Sequence, residues 1–232
     1  MGNIEKLIER YKNIRSRRLL QECCVNEYAF VGYGGHSVDN LYPVLDHLHV
    51  PLKYICCRSK EKAGLIGRKY SGITATTDLD DILSDDSVKG VFVSASPSAH
   101  FEIASRVLKS NKALFVEKPP CRTLEELDIL AELAAQRDVL AVAGMQKRYS
   151  PVTQELRKTL RKDKAERYSC RSVTGRYPEG DPLTDLFIHP LDYVSFLFGD
   201  AVVQGFEIVR TSGGGVTMML ILKHSGVSGI LE

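Results

Sequence analysis

The sequence lacks the features that would place the chain in a membrane, in a secretory pathway or on a nucleic acid. No apolar run approaches the roughly 20 residues that a membrane-spanning helix requires, so we do not expect this chain to be a membrane protein. The amino terminus lacks the apolar core of a secretory signal, which favours a reducing, cytoplasmic compartment. Lys and Arg number 31 against 29 Asp and Glu, a net charge of +2. This balance argues against a nucleic-acid-binding protein.

The cysteines show no C-x-x-C spacing, so we expect neither a zinc site nor a dithiol redox motif, and no metal. There are six of them, two adjacent pairs and two single residues: Cys23, Cys24, Cys56, Cys57, Cys121 and Cys170. In a reducing compartment we expect free thiols that mostly pack as small hydrophobic side chains.

Length and composition are those of a globular protein. The 232 residues suit one or two domains, and 44% hydrophobic with 26% charged residues is typical of soluble chains. Residues 1–27 predict an amphipathic helical extension with a basic face. That face is compatible with an anionic membrane surface, but Glu5, Glu9 and Glu22 dilute its charge. We therefore expect the extension to dock on the protein itself or on a neighbouring subunit.

From residue 28 to 147 short apolar runs alternate with helical segments. The runs at 28–31, 52–57, 90–94, 113–116 and 139–143 predict strands, and the segments between them predict helices. This alternation indicates a doubly wound parallel sheet with right-handed crossovers, an α/β domain.

The pattern changes over residues 148–232. Helical segments at 151–161 and 183–198 precede strand-like runs at 202–210, 216–223 and 227–231. This order predicts an α+β domain with an open sheet. The chain stops within the last run, so we expect this second domain to be incomplete.

A glycine-rich loop follows the first predicted strand and opens a helix. Its residues are Gly32, Tyr33, Gly34, Gly35, His36 and Ser37. In a dinucleotide-binding unit such glycines permit a tight turn and let the backbone approach the pyrophosphate, which the helix amino terminus attracts. A plain glycine turn is the alternative. Ser37 occupies the third glycine position, where a small residue still allows the helix to pack on the strand.

The end of the second strand bears on the choice of cofactor. An acidic residue there would bind the ribose 2′-hydroxyl of NAD, but the chain has Arg58, which Ser59 or Lys60 would assist. A guanidinium forms charge-assisted hydrogen bonds with a 2′-phosphate, so NADP is favoured and NAD is the alternative. The alternative is that Arg58 is a solvated charge in a loop.

Two further groups are candidates for chemistry. Glu117 and Lys118 follow the strand at 113–116, where parallel sheets bind ligands. Asp185 and His189 stand at i and i+4 on one face of a predicted helix, and Asp192 is close enough to orient the His189 ring. His189 alone is compatible with a packed core histidine or a metal ligand.

Together these motifs resemble the Gfo/Idh/MocA family, the glucose–fructose oxidoreductase and inositol dehydrogenase group. The shared features are the loop at 32–37, Ser94-Ala95-Ser96-Pro97 with His100, Glu117-Lys118-Pro119, the segment 144–151, and Asp185 with His189 and Asp192. They occur in the family's order over roughly residues 28–232. The resemblance implies a Rossmann domain, then an open-sheet domain that carries the substrate face and often the oligomer interface.

The resemblance also implies roles for individual residues. Lys118 would lie beside nicotinamide and substrate, His189 would be the acid/base, and Asp185 would position substrate or lysine. Ser96, Pro97, His100 and Glu117 would line the cofactor cleft, and Arg148 and Tyr149 would face the substrate. Hydride transfer requires a coupled proton transfer, for which histidine is suited near neutral pH.

We therefore expect an NAD(P)-dependent oxidoreductase that acts on a hydroxyl or keto carbon of a sugar, cyclitol or related polyol. A homo-oligomer, dimer or tetramer, is expected from the family. The alternatives are a non-catalytic dinucleotide-binding regulatory protein and a truncated pseudo-enzyme of the same fold, since a fold does not dictate a function. The retained Lys118, Asp185 and His189 favour the enzyme.

Overall fold

The computed structural model describes residues 25–175, 183–210 and 215–232, together with Glu5 and Glu9. The extension expected at 1–27 therefore lies largely outside the described residues. The chain divides into two compact units, Met1–Val142 and Ala143–Glu232. The boundary between the two units falls after Val142, five residues before the boundary that the sequence suggested, after residue 147.

The first unit is built on a six-stranded parallel sheet. Its strands are β1 (Glu27–Val31), β2 (Leu52–Cys56), β3 (Thr74–Thr76), β4 (Val88–Val93), β5 (Ala113–Val116) and β6 (Ala141–Ala143). They lie in the order β3-β2-β1-β4-β5-β6. This is the strand order of a doubly wound dinucleotide-binding fold, so the predicted fold class is confirmed.

Helices connect these strands. They are α1 (Tyr42–His47), continuous with a π-helical turn at Ser37–Leu41, α2 (Lys60–Lys69), α3 (Asp80–Leu83), α4 (Pro97–Lys109) and α5 (Leu124–Arg137). Local chemistry sets two of the starts, because the hydroxyls of Ser59 and Thr123 accept backbone N–H groups of α2 and α5. Pro97 occupies the first position of α4, where its missing N–H costs nothing.

Apolar side chains are buried on both faces of the sheet, as expected for a parallel sheet that helices cover on both sides. Successive residues of β1 point to opposite faces. Ala29 and Val31 pack in one cluster with Val91 and Val93 of β4. Phe30 points the other way, and its ring centroid lies 4.4 Å from that of Tyr42 in α1. The first unit therefore carries a core on each side of its sheet.

The second unit contains a four-stranded mixed sheet. Its elements are α6 (Pro151–Lys162), β7 (Arg167–Cys170), a π-helical turn (Leu183–Phe187), α7 (Ile188–Phe198), β8 (Val202–Arg210), β9 (Val216–Lys223) and β10 (Ser228–Leu231). The strand order is β7-β10-β9-β8, with β7 parallel to β10 and the other pairs antiparallel. The predicted α+β open-sheet architecture is confirmed.

One face of this second sheet packs against α7. Val194 of α7 is buried with Leu222 of β9 and Leu231 of β10. The ring of Tyr168 stacks on Phe198 at a centroid distance of 4.6 Å. Across the described residues, no helix is long and apolar enough to cross a membrane.

Candidate functional site

Gly32 fixes the turn that leaves β1. Its φ of +118° is in the region that disfavours side chains, and an added Cβ would lie 2.0 Å from the carbonyl oxygen of Ser94. The Gly32 N–H donates to the Cys56 carbonyl at 2.9 Å, and the Tyr42 hydroxyl donates to the Gly32 carbonyl at 2.9 Å. Only glycine fits between β1 and the end of β4.

The next residues of the loop form an open edge. Gly34, Gly35 and His36 are exposed, and an added Cβ on Gly34 would meet no protein atom within 4 Å. Ser37 is buried instead, and its hydroxyl donates to the side chain of Ser94 at 3.1 Å. The backbone thus faces free space at the amino end of a helix, and this space fits a pyrophosphate.

A cleft of about 860 Å³ lies at the carboxyl ends of the strands. All twelve residues that the sequence suggested for cofactor binding line it: Gly32, Gly34, Gly35, His36, Ser37, Arg58, Ser59, Ser96, Pro97, His100, Glu117 and Lys118. Ligands of open α/β sheets bind at this edge, where the strand order reverses between β1 and β4.

Cationic groups line one end of this cleft beside β2. Arg58 is exposed, and the Ser59 hydroxyl accepts the Lys62 N–H at 3.3 Å, so Ser59 caps α2. Lys62 lines the cleft as well. The sequence suggested Lys60 as the assisting lysine, but Lys62, one helical turn after Arg58, is the lysine that lines the cleft.

His100 lies beneath the cleft with 1% of its surface exposed. Its Nδ1 lies 2.7 Å from the Pro119 carbonyl oxygen and its Nε2 lies 3.0 Å from the Ala95 carbonyl oxygen. Both ring nitrogens therefore face the protein backbone. His100 is one of the residues that line the cleft, and both nitrogens of its ring contact backbone carbonyls of the protein.

The turn after β5 carries the next polar group. The Glu117 N–H donates to the Val93 carbonyl at 2.8 Å, which ties the turn to β4. The Glu117 carboxylate accepts the Lys118 N–H at 3.2 Å, and its other oxygen lies 3.7 Å from Nε2 of His36. The Lys118–Pro119 peptide bond is cis. Glu117 thus connects the glycine loop to the turn that bears Lys118.

In the second unit, Asp185 lies in the turn Leu183–Phe187 and His189 lies in the first turn of α7. Both side chains are half-buried. They lie four residues apart in consecutive helical elements, and that their side chains share one face stays a prediction. Tyr149 is 68% exposed at the end of a 3₁₀ turn, Gln146–Tyr149.

Arg148 forms an ion pair that the sequence did not indicate. Its Nε lies 3.0 Å from both carboxylate oxygens of Asp192, and its Nη2 donates to the same carboxylate. Hydrogen bonding to Asp192 raises the pKa of Arg148. Asp192, which we expected to orient the His189 ring, is therefore held by Arg148. The Phe196 ring lies under the guanidinium groups of Arg148 and Arg157, at 5.4 and 4.4 Å.

We expect Arg148→Met to destabilise the second unit by about 2 kcal/mol, because the Asp192 side chain is only 9% exposed and would lose its partner. Urea unfolding followed by circular dichroism measures this free energy. Glu155→Ala is the matched control, since it breaks an ion pair with Lys158 whose side chains are 71% and 67% exposed. We expect a loss under about 0.5 kcal/mol there. Equal losses would show that the Arg148 pair is a surface contact.

The described cysteines are free thiols: Cys56, Cys57, Cys121 and Cys170. Burial raises the pKa of Cys56, beside the cleft, to about 11, so its thiol stays protonated near neutral pH. Within the described ranges no group of three or more His, Cys, Asp or Glu side chains is arranged to hold a metal ion.

Comparison with known proteins agrees with this geometry. Residues 26–145 match the family model GFO_IDH_MocA, described as an oxidoreductase family with an NAD-binding Rossmann fold. A curated relative, the myo-inositol 2-dehydrogenase of Thermotoga maritima, is 24% identical over 192 residues, which cover 75% of this chain and 55% of the relative. The chain spans about half the length of this relative and of YhhX, an uncharacterized oxidoreductase of Escherichia coli that is 28% identical over 186 residues, which cover 74% of this chain and 53% of that protein.

Solved structures share the fold. An oxidoreductase from Agrobacterium radiobacter, in complex with NAD+, L-tartaric acid and magnesium, is 19% identical with a TM-score of 0.75, and the match covers 89% of this chain and 65% of that one. A 3-ketoreductase from Actinomadura kijaniata, in complex with TDP-benzene and NADP, is 18% identical with a TM-score of 0.75, covering 89% and 68%.

Proposed function

Because this chain belongs to the Gfo/Idh/MocA oxidoreductase family, whose Rossmann fold binds NAD, we propose that it is an NADP-dependent oxidoreductase acting on a polyol. The reaction would transfer a hydride between the nicotinamide and a hydroxyl or keto carbon of a sugar, cyclitol or related compound. The observation that carries this proposal is the cleft of about 860 Å³, whose lining includes both the glycine loop and Lys118.

In the proposed cofactor site, the pyrophosphate, the adenosine ribose and the nicotinamide would each occupy a different part of the cleft. The pyrophosphate would lie against the open edge at Gly34 and Gly35, where backbone and helix dipole favour an anion. The adenosine ribose would lie toward the end of β2, beside Arg58. The nicotinamide would then lie on the opposite side of β1, near the turns that follow β4 and β5. The bound nicotinamide would supply or accept the hydride.

The preference for NADP is argued from this chain's own residues, since one solved relative holds NAD+ and another holds NADP. Arg58 and Lys62 line the cleft at the start of α2. Two cations at a helix amino terminus favour a 2′-phosphate, through charge-assisted hydrogen bonds and the helix dipole. A ribose 2′-hydroxyl would gain little from the same groups.

We expect Arg58→Gln to weaken NADPH binding roughly tenfold or more, because one hydrogen bond to a charged group contributes about 1.5–3 kcal/mol. NADH binding should change less than about twofold, since NADH has no phosphate at this position. Fluorescence titration with each nucleotide measures both constants. Arg68→Gln, an exposed change on the same helix, is the control and should leave both unchanged. A matching loss of NADH affinity would contradict the assignment of Arg58.

The proposal also assigns catalytic roles to Lys118, His189 and Asp185. The Lys118 ammonium would stabilise the alkoxide-like oxygen that develops as the hydride leaves or arrives. His189 would take or give the hydroxyl proton, and Asp185 would position the substrate or the lysine. Tyr149, which is 68% exposed, would contact the substrate. Arg148 would act through its ion pair with Asp192, three residues after His189.

A substrate screen tests the reaction. The purified chain is incubated with NADP+ and a panel of polyols, including myo-inositol, other cyclitols, hexoses and pentoses, and the absorbance of NADPH is followed. Saturable reduction of NADP+ by at least one compound supports the proposal. Tight NADPH binding without turnover of any compound, in either direction, would favour the regulatory alternative on the same fold.

We propose in addition that the chain forms a homo-oligomer through the outer face of the second sheet. Ile221 and Ile230 pair across β9 and β10, and they are 45% and 44% exposed on the face opposite α7. Adjacent exposed apolar side chains on a sheet face are typical of an interface. We expect a dimer or tetramer by light scattering, and a monomer for Ile221→Lys. A monomeric wild-type chain would contradict this.

A further inference from the structure

His100 connects two turns that leave adjacent strands. The Ala95 carbonyl belongs to the turn after β4, and the Pro119 carbonyl belongs to the turn after β5, directly next to Lys118. The imidazole bridges them with contacts of 3.0 and 2.7 Å while 1% of the residue is exposed. Both turns contribute to the cleft wall. One buried ring therefore fills the space between the two turns and donates a hydrogen bond to at least one of them.

The chemistry of the bridge is specific to histidine. Both partners are carbonyl oxygens, which only accept. A neutral imidazole has one N–H and donates to one of the two carbonyls at a time, whereas a protonated ring donates to both. An imidazole presents its two nitrogens on opposite edges of a rigid ring. A glutamine side chain lacks the rigid ring and ends in a single amide nitrogen, so we expect it to reach one of the two turns and to leave part of the space of the ring unfilled. A buried carbonyl left without a donor costs roughly 1–3 kcal/mol.

We infer that His100 is a positioning residue, which holds the Lys118 turn against the Ala95 turn and so fixes the nicotinamide end of the cleft. For its chemical consequence the inference rests on the proposed function. The two nitrogens of the His100 ring contact backbone carbonyls, so the side chain would affect the reaction only by setting the positions of Lys118 and of the cleft wall. This assigns to His100 a role different from that of a direct cofactor ligand.

The inference makes a directional claim about ligands. The adenosine end of the proposed site lies beside β2, on the other side of β1 from the two turns that His100 joins. Loss of the bridge should therefore disturb the nicotinamide end and leave the adenosine end intact. The dinucleotide NADPH occupies both ends, whereas 2′-phospho-ADP-ribose lacks the nicotinamide. A role in general stability would affect both ligands alike.

The test compares His100→Gln with Ser105→Ala. Ser105 is also buried on α4, but its hydroxyl donates to Phe101 within the same helix at 2.8 Å. Amide hydrogen exchange of the ligand-free proteins is measured for residues 113–122, which include the Lys118 turn. We expect roughly tenfold faster exchange in this segment for His100→Gln and no change for Ser105→Ala, because exchange reports local opening.

Ligand binding and turnover supply the second readout. For His100→Gln we expect the Kd for NADPH to rise roughly tenfold, while the Kd for 2′-phospho-ADP-ribose changes less than about twofold. With a polyol that the wild-type enzyme oxidises, kcat should fall roughly tenfold while the KM of the polyol stays within about threefold. Ser105→Ala should match the wild type throughout.

The outcomes separate the two claims. Unchanged exchange in His100→Gln would overturn the positioning role, whether or not the protein is an oxidoreductase. Equal weakening of both nucleotides would overturn it in favour of general destabilisation. A wild-type chain that binds neither nucleotide would overturn the proposed function, while the exchange measurement would still decide whether His100 holds the Lys118 turn.

Discussion

The Gly32→Ala variant is expected to lose about 3 kcal/mol or more of its unfolding free energy, together with nucleotide binding. The new Cβ would lie 2.0 Å from the carbonyl oxygen of Ser94 and 2.7 Å from its carbonyl carbon, and neither backbone atom is able to yield as a flexible side chain would. The positive φ of +118° adds strain of about 1–2 kcal/mol. Relief of the clash must move the glycine loop or the turn after β4, and both line the cleft.

Gly72→Ala is the matched control for this change. Gly72 also has a positive φ, +85°, but an added Cβ there would meet no protein atom within 4 Å. The control therefore carries the backbone strain without the clash, and we expect a loss of about 1–2 kcal/mol with NADPH affinity retained. Thermal and urea unfolding measure the stabilities, and NADPH fluorescence measures binding. Equal losses of stability in the two variants would contradict the close approach of Gly32 to β4.

The second large effect concerns turnover. Lys118→Met and His189→Asn should each lower kcat by roughly 10²–10⁴, because one removes a cation that stabilises the developing oxyanion and the other removes the proton-transfer group. The Kd for NADPH should change less than about threefold in His189→Asn, since the proposed histidine acts on the substrate hydroxyl. Stopped-flow measurement of the hydride-transfer step separates chemistry from product release.

Lys109→Met is the control for the lysine variant. Lys109 is exposed at the end of α4, outside the residues that line the cleft. Its removal changes net charge by the same amount, and we expect turnover within about twofold of the wild type. If Lys118→Met also turned over within a few fold of the wild type, the proposed role of Lys118 would be wrong.

Much of the fold was predictable from the sequence because local pattern and burial agree. The strand Ala113–Val116 has the bounds that the apolar run indicates, and the helix Leu124–Arg137 lies in the segment between runs where a helix was predicted. In the helix, Thr123 caps the amino end and Asp138 ends it in a left-handed conformation. The glycine loop was recognisable because its tight turn requires residues without a side chain. At Gly32 a positive φ and the nearby Ser94 carbonyl both exclude a Cβ.

The contacts that shape the site were less predictable, because they join residues far apart in the chain. His36 and Glu117 approach each other across the cleft wall, and nothing in their local sequences indicates the pair. The same holds for Arg148 with Asp192, where the sequence suggested that Asp192 faces His189. The two backbone contacts of His100 depend on how two turns leave neighbouring strands, which periodicity does not specify.

The measurement that tests the central claim most directly is a fluorescence titration of the purified chain with NADPH and, in parallel, with NADH. The account predicts saturable binding of NADPH at least roughly tenfold tighter than that of NADH, a difference of about 1.4 kcal/mol. Tighter binding of NADH would contradict the role assigned to Arg58 and leave the cleft as an NAD site. Absence of binding by either nucleotide would contradict the claim that this cleft is a dinucleotide site.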